Sequence, residues 1–378
     1  MDYLTQIYEQ VVQQRPLSQD QALWLLEQAE LLELAELATL VRQRYHTGRY
    51  VTFHIDTNPN YTNICETACK FCAFYRTAKQ ADAYWLSVEQ VLEKIQQAVE
   101  AGARTVLLQG GHNPQIPFDY YLTLITETKK RFPQVQPHFF SAAEICVFAK
   151  QFDLSITEIL TAFYEAGQRT LPGGGAEILS ERVRRKIAPL KATTEQWLQV
   201  HEIAHGIGFK TTATMMYGHV ETSVEIVEHL LKLRDLQART GGFYAFIPWS
   251  YKPAGNRLGK TVTQGVSEAM YLRIISLSRL VLDNFPHIQA SWFSEGRKTG
   301  QLALEFGADD FGGTLLEEQV LRGSNDLAFM TVEEVLHCIH DAGYIPVQRD
   351  TLYQTLAIYE TPNYFKNRIL SPYSELIN

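Results

Sequence analysis

The sequence predicts an α/β protein: one (β/α) barrel of the TIM type, with a helical extension before it and a helix-plus-extended addition after it. Three observations predict this. From residue 50 onward, apolar or β-branched runs alternate with amphipathic helical patterns about eight times. Four helical patterns end on a glycine followed at once by a strand-like run, in EAGARTV, EAGQRTL, GIGFKTT and DAGYIPV. No low-complexity segment or linker interrupts the 378 residues, a size that α/β barrels often fill as one domain. Alternation at this spacing implies a parallel sheet, and about eight units imply closure rather than an open doubly wound sheet.

Residues 1–48 read as a helical lead-in, with apolar residues at helical spacing and Ser18 placed to cap a helix with Gln21 three residues on. The strand candidates follow in order: YVTFHID, RTVLLQGG, QPHFFSA, QRTLPGGG, FKTTATMM, GFYAFIPW, IQASWFS and the weaker DDFGGTL. Between the first two, Val91, Leu92, Ile95, Ala98 and Val99 share one helix face. Ser87 with Gln90, Ser155 with Glu158 and Thr331 with Glu334 have capping-box spacing. The barrel is expected over 49–320. The remainder, 321–378, is expected as an extension packed on it, with MTVEEVLHCIHDAGYIPVQRDTLY supplying a helix and an extended stretch.

Bulk properties exclude several function classes. A net charge of −8 and a pI near 5.8 lack the basic footprint of a nucleic-acid binder. No stretch approaches the roughly 18 apolar residues of a membrane span. The acidic start MDYLTQIYEQVVQQRPL is not read as a secretory signal. Five cysteines, an odd number, argue against a disulfide framework and for a reducing cytoplasm.

Three of those five crowd into NICETACKFCAFYR, at Cys65, Cys69 and Cys72. The segment follows the first strand candidate, in a loop with Asn58, Pro59, Asn60 and Asn63. In a barrel, that loop lies at the C-terminal mouth, where active sites are built. Three thiolates this close can converge on a soft metal centre. A structural zinc wants four protein ligands, and nothing in the spacing singles out His54 or His112 as the fourth. An iron–sulfur cluster held by three cysteines keeps one iron without a protein ligand. Structural thiols, zinc and iron–sulfur remain the readings, with iron–sulfur favoured by ligand count. Cys146 and Cys338 read as packing residues.

Cys-x3-Cys-x-aromatic-Cys resembles the signature of the radical S-adenosylmethionine (SAM) superfamily, and the resemblance extends from about residue 45 to 355. It implies a [4Fe–4S] cluster on the three cysteines and S-adenosyl-L-methionine as second cofactor. Phe71 matches the aromatic position of the motif, and Phe74 and Tyr75 stand next to it, placed to line the adenine side. The resemblance implies that the Gly110–Gly111 backbone meets the methionine amino group. Where a common version of that turn has Gly-Gly-Glu, this chain has His112, counted instead with the substrate contacts. Ser141, Glu177 and Arg182 complete the implied cofactor contacts, with Glu144 and Arg185 nearby.

The runs QGGHNP, PGGGAEI, RVRRKIAP, TTATMMYGHVET, GGFYAFIPW, IQASWF and QRDTLY narrow the resemblance to the group of the futalosine route to menaquinone, and within it to the dehypoxanthine futalosine cyclases. Aminofutalosine synthases and the deazaflavin-chromophore synthase subunits are the related alternatives, and a non-redox zinc barrel is the alternative outside the superfamily. The resemblance implies dehypoxanthine futalosine as substrate, hydrogen abstraction from its C4′, and intramolecular attack of the carbon radical on the benzoate ring. It also implies an electron donor such as flavodoxin or ferredoxin. That chemistry needs a base for the ring proton and a cation for the benzoate. His219 and Glu295 are the base candidates, and the His54/Asp56 pair, two apart on one strand side, is the third. Arg297 and Lys298 are the candidate benzoate holders, with Trp249, Tyr251 and Trp292 as aromatic contacts.

Overall fold

β-Branched and aromatic residues set the strands, and each strand candidate carries one. Tyr50–His54 (β1) and Asp56–Thr57 (β2) are two parts of one run, separated at Ile55. Thr105–Leu108 (β3), Gln136–Phe139 (β4), Thr170–Leu171 (β5), Lys210–Tyr217 (β6), Phe243–Ser250 (β7), His287–Ile288 (β8) and Asp310–Gly313 (β9) follow. The structure, a computed structural model, describes residues 2–318 and 329–360.

β2 to β8 form one parallel sheet in sequence order. β9 pairs in parallel with β1, and a bridge between Gln289 and Asp310 joins the end of β8 to β9, so the sheet curls round on itself. Helices such as Val88–Glu100, Phe118–Arg131 and Ser223–Thr240 cover the outside. The three expected capping boxes are present at Ser87, Ser155 and Thr331. The repeated glycine stop has one cause: Gly102, Gly167, Gly208 and Gly343 all take positive φ, which lets each chain leave its helix for the next strand.

Beyond the helix Val332–Asp341, Ile345–Arg349 (β10) and Thr355–Ile358 (β11) join the sheet itself. β10 runs parallel to β1, Tyr50 facing Ile345 and Phe53 facing Gln348, and β11 returns antiparallel to β10. The first half of the run is therefore flanked by β10 and β9, while β2 reaches β3. The segment expected to pack on the barrel thus supplies strands at its lower end. The expected boundary at residue 320 lies outside the described residues.

The lead-in is three helices, Tyr3–Val12, Gln19–Glu27 and Leu31–Tyr45. Gln14 at φ +56° ends the first, and Ser18 opens the second with its capping box. Leu34, Leu37 and Val41 are buried, on the third of these helices, which packs against Glu268–Val281. At its end, His46 Nε2 lies 3.0 Å from the buried Asp309 Oδ2, which also pairs with His287 Nδ1 at 2.5 Å. Arg279, fully buried, pairs with the other oxygen of Asp309. These bonds pin the lead-in to the lower end of the barrel. No helix among the described residues is long and apolar enough to cross a membrane.

Candidate active site

The cysteine segment is a loop held open by its own backbone. Cys65 N donates to Arg76 O at 2.9 Å, and Arg76 N donates to Asn63 O at 2.7 Å. Arg76 Nη1 reaches three carbonyls at once, those of Ala73, Phe74 and Tyr75, at 3.1, 3.1 and 3.0 Å. The loop is also clamped to the end of β3: Gly111 N donates to Thr62 O at 2.8 Å and Glu66 N to His112 O at 3.1 Å. His112 is bonded through Nδ1 to Thr67. Burial, with Lys191 adding to it, pushes His112 down to about 3, so it holds the loop as a neutral ring.

All three thiols line one cavity of 390 Å³ inside the barrel. Burial pushes the Cys69 thiol up to about 12 and raises Cys72 as well. Such groups are poor free nucleophiles and become thiolates only when a metal takes up the charge. The described ligand-type residues whose donor atoms all fall within 4.8 Å of one another are His46, His287 and Asp309, so the thiols are spread wider than that. A single tetrahedral zinc would hold its sulfurs about 3.8 Å apart. The donor set fits a multi-iron cluster better than one ion.

Around the thiols, Phe71, Phe74 and Tyr75 line the cavity with Gly110, Gly111, Ser141 and Glu177. The buried Glu144 ties these parts together. Its Oε2 accepts from Ser141 N at 2.6 Å and Ser141 Oγ at 2.8 Å, and its Oε1 from Tyr61 Oη at 2.9 Å and Gly110 N at 3.2 Å. Glu177 sits at φ +45°, its Oε1 paired with Lys191 Nζ at 2.7 Å and its Oε2 buried with no partner. Burial opposes the Lys191 ammonium, but Glu177 and Cys69 outweigh it and raise its pKa. Lys191 therefore stays charged beside the thiols.

Deeper in, His54 and Asp56 line the cavity, with Nε2 to Oδ2 at 3.4 Å. Asp56 Oδ1 accepts from Leu315 N at 2.8 Å, which fixes the carboxylate. His54 Nδ1 is buried without a partner. His138, Tyr244, Arg349 and Tyr353 line the same space, and Trp249, Tyr251 and Lys252 line it too.

Other expected residues are placed elsewhere. His219 folds onto its own turn, Nε2 against Met216 O at 2.9 Å and Nδ1 against Val220 N at 2.8 Å, so neither nitrogen is left for a substrate. Glu295 is a layer back: Ser250 Oγ at 2.7 Å, Ser294 Oγ at 2.8 Å and Lys252 Nζ at 3.3 Å hold its carboxylate. Trp292 is fully buried and donates to Gly313 O at 3.1 Å, behind the wall. Arg182 pairs with Glu225, and Arg297 with Glu334 at 2.7 Å, both outside the cavity. Lys298 is exposed and bonds Gln301 at 3.3 Å. Each of these three cations starts a helix beyond a strand end and points away from the mouth. Lys191, His138, Lys252 and Arg349 escaped the sequence reading. Only QRDTLY gave a signal for Arg349, and only as part of a resemblance.

Comparison with known proteins agrees with this geometry. Residues 59–233 match the model of the radical SAM superfamily, and residues 240–361 match that of the CofH/MqnC C-terminal region. The chain is 41% identical to a cyclic dehypoxanthine futalosine synthase of Streptomyces coelicolor, over 91% of this chain and 86% of that one. It is 41% identical to an aminodeoxyfutalosine synthase of Thermus thermophilus, over 94% and 97%. It is 39% identical to a 5-amino-6-(D-ribitylamino)uracil–L-tyrosine 4-hydroxyphenyl transferase of Methanopyrus kandleri, over 82% and 86%. Among solved structures, methylornithine synthase shares the fold with a TM-score of 0.72 at 18% identity, over 90% of this chain and 97% of that one. With three thiols gathered at the mouth of a parallel barrel, the chain belongs to the radical SAM superfamily, enzymes that work with a [4Fe–4S] cluster and S-adenosyl-L-methionine, and to its group of futalosine-pathway synthases and their relatives.

Proposed function

We propose that the protein is a cyclase that converts dehypoxanthine futalosine to cyclic dehypoxanthine futalosine in menaquinone biosynthesis, in the cytoplasm. When bound, the cluster and SAM supply a 5′-deoxyadenosyl radical that removes the C4′ hydrogen of the sugar. Cys65, Cys69 and Cys72 are the ligands of that cluster. The Gly110–Gly111 backbone, Ser141 and Glu177 form the SAM cradle, and the partnerless Glu177 Oε2 is the acceptor for ribose hydroxyls. Phe71 and Tyr75 wall off water from the reacting end. An electron donor such as flavodoxin or ferredoxin completes the system.

The observation that carries the cyclase reading is the partnerless His54 Nδ1 on the same cavity as the thiols. With Nε2–H turned to Asp56, Nδ1 presents a lone pair, and Asp56 stabilises the imidazolium that forms when it takes a proton. Cyclisation of a carbon radical onto an aromatic ring must shed a ring proton and one electron; the electron goes to the oxidised iron–sulfur cluster, and the base takes the proton. The radical carbon and the ring belong to one molecule, so the walls mainly enforce a folded, near-attack shape. Trp249 and Tyr251 are aromatic walls of the same cavity.

The second reading is an aminofutalosine synthase, favoured by the 41% identity to the Thermus thermophilus enzyme. The fate of the adenosyl group separates the two. Anaerobically reconstituted protein given SAM, reductant and dehypoxanthine futalosine should release free 5′-deoxyadenosine and the cyclic product. Adenosyl carbon found inside the product of an enolpyruvyl ether substrate, with no cyclisation, would overturn the cyclase reading.

A further inference from the structure

We infer that Arg349, on the strand that closes the lower end of the barrel, is the specificity-determining residue that receives the benzoate carboxylate of the substrate, so that the molecule lies carboxylate-down with its sugar toward the thiols. The inference rests on the cyclase reading.

Arg349 is 4% exposed and still lines the cavity. Its guanidinium is fixed before any ligand arrives. It lies on the face of Tyr353, 3.7 Å from the ring centre, and Tyr353 is backed by His287 at 3.6 Å. Nε is bonded to Asp310 and Nη1 to Asp350 O at 3.0 Å, and Nη2 has no hydrogen bond among the described residues. A locked, planar donor with an open edge suits a carboxylate.

The nearby acids are already engaged. Asp310 also accepts from Thr52 Oγ1 at 2.7 Å and Gly312 N at 2.8 Å, and Asp56 holds His54 and Leu315 N. His138 is bonded to Thr170 Oγ1 at 3.0 Å and is neutral, pushed to about 3 by burial and by the charges of His54 and Arg349. The Tyr353 hydroxyl is buried without a partner in the same region.

The other cations of the cavity are paired as Arg349 is, but they lack its stacked, planar guanidinium. Lys191 pairs with Glu177 beside the thiols, and Lys252 pairs with Glu295 where its side chain is 36% exposed. A carboxylate at the lower end leaves the sugar to reach up toward Cys65, Cys69 and Cys72. It also puts the ring beside His54, the proposed base.

The test compares dehypoxanthine futalosine with its benzamide counterpart on reconstituted holoenzyme. Two variants are used: Arg349→Lys, and the double variant Arg349→Gln with Asp310→Asn, which removes both charges and leaves no buried ion unpaired. The wild type should prefer the carboxylate. That preference, as a ratio of kcat/KM, should fall tenfold or more in the double variant and by a smaller factor with lysine, carried by KM for the carboxylate. A ratio that stays within twofold of wild type in either folded variant overturns the inference. Wild type that cleaves SAM but cyclises neither form sinks the cyclase reading and this inference together. Wild type that cyclises both, with unchanged preference in the variants, sinks this inference alone.

Discussion

Gly111 offers a sharp test of how the cluster loop is held. A Cβ built there would stand 2.7 Å from the carbonyl carbon of Ile64 and 2.9 Å from Cys65 Cβ, with the Ile64 oxygen closer still. Ordinary contact begins near 3.4 Å, so Gly111→Ala must displace Cys65 and the peptide before it by at least about 0.5 Å. Metal sites tolerate roughly 0.2 Å in ligand position. Overpacking of this kind costs about 1–3 kcal/mol. For a chain this long, with an unfolding entropy of about 0.8 kcal/mol/K, that lowers Tm by only about 1–4 °C. The fold should therefore survive while the ligand geometry does not. The assay is iron and sulfide content after anaerobic reconstitution, with SAM cleavage and a melting curve of the metal-free protein. Gly206→Ala is the control: nothing lies within 4 Å of its Cβ, and it sits in the helix Thr194–Ile207, where alanine is favoured by about 0.8–1 kcal/mol. Gly111→Ala protein that binds wild-type iron and cleaves SAM at the wild-type rate would refute the reasoning.

Cys69→Ala should melt within a few degrees of wild type but lose the cluster and all SAM cleavage; cleavage at the wild-type rate would remove Cys69 from the ligand set. Asp309→Asn leaves the fully buried Arg279 without its counter-ion, a loss of about 3–5 kcal/mol, so Tm should drop by about 4–6 °C; a shift under 1 °C would refute it. Acid should destabilise the fold well above the carboxylate range. His138 and His229 are pushed by burial to about 3, and His201 and His205 are lowered too. The unfolded chain therefore binds protons from about pH 6.5 downward while the folded one does not, and each such group removes up to about 1.4 kcal/mol per pH unit. Glu144 and Asp283, raised by burial, act in the opposite direction but are fewer. Tm should fall between pH 6.5 and 5, and a flat or rising profile would contradict the neutral-histidine core.

Much of the fold was legible because its signals are local. Period, cap and glycine stop each span a few residues, and they placed the strands from β1 to β9. The thiol loop was legible for the same reason: three ligands within eight residues need no tertiary knowledge. β10 was not, because an extended run after the last helix carries nothing that says which strand it joins. Its pairing with β1 is decided by the space left beside the first half of that strand.

The same distinction explains which charged residues were misplaced. Arg182, Arg297, Lys191 and Arg349 look alike in sequence, although Lys191 lies between the helices Glu181–Ile187 and Thr194–Ile207 rather than by a strand. Their partners separate them. Arg182 and Arg297 reach Glu225 and Glu334, and each of those is the third residue of a capping box, at Thr222 and Thr331. Glu334 is fixed at a half-exposed helix start and holds Arg297 there, while the buried Glu225 holds Arg182 against the Val220 turn, outside the cavity. Lys191 and Arg349 pair instead with Glu177 and Asp310, acids on a mouth loop and a barrel strand, and are held inside. The capping box at Thr331 was already visible, so its glutamate was spoken for before any fold was known. Whether an arginine in a barrel faces substrate or solvent is thus decided by the acid that claims it, and that acid can sometimes be recognised from its own local duty.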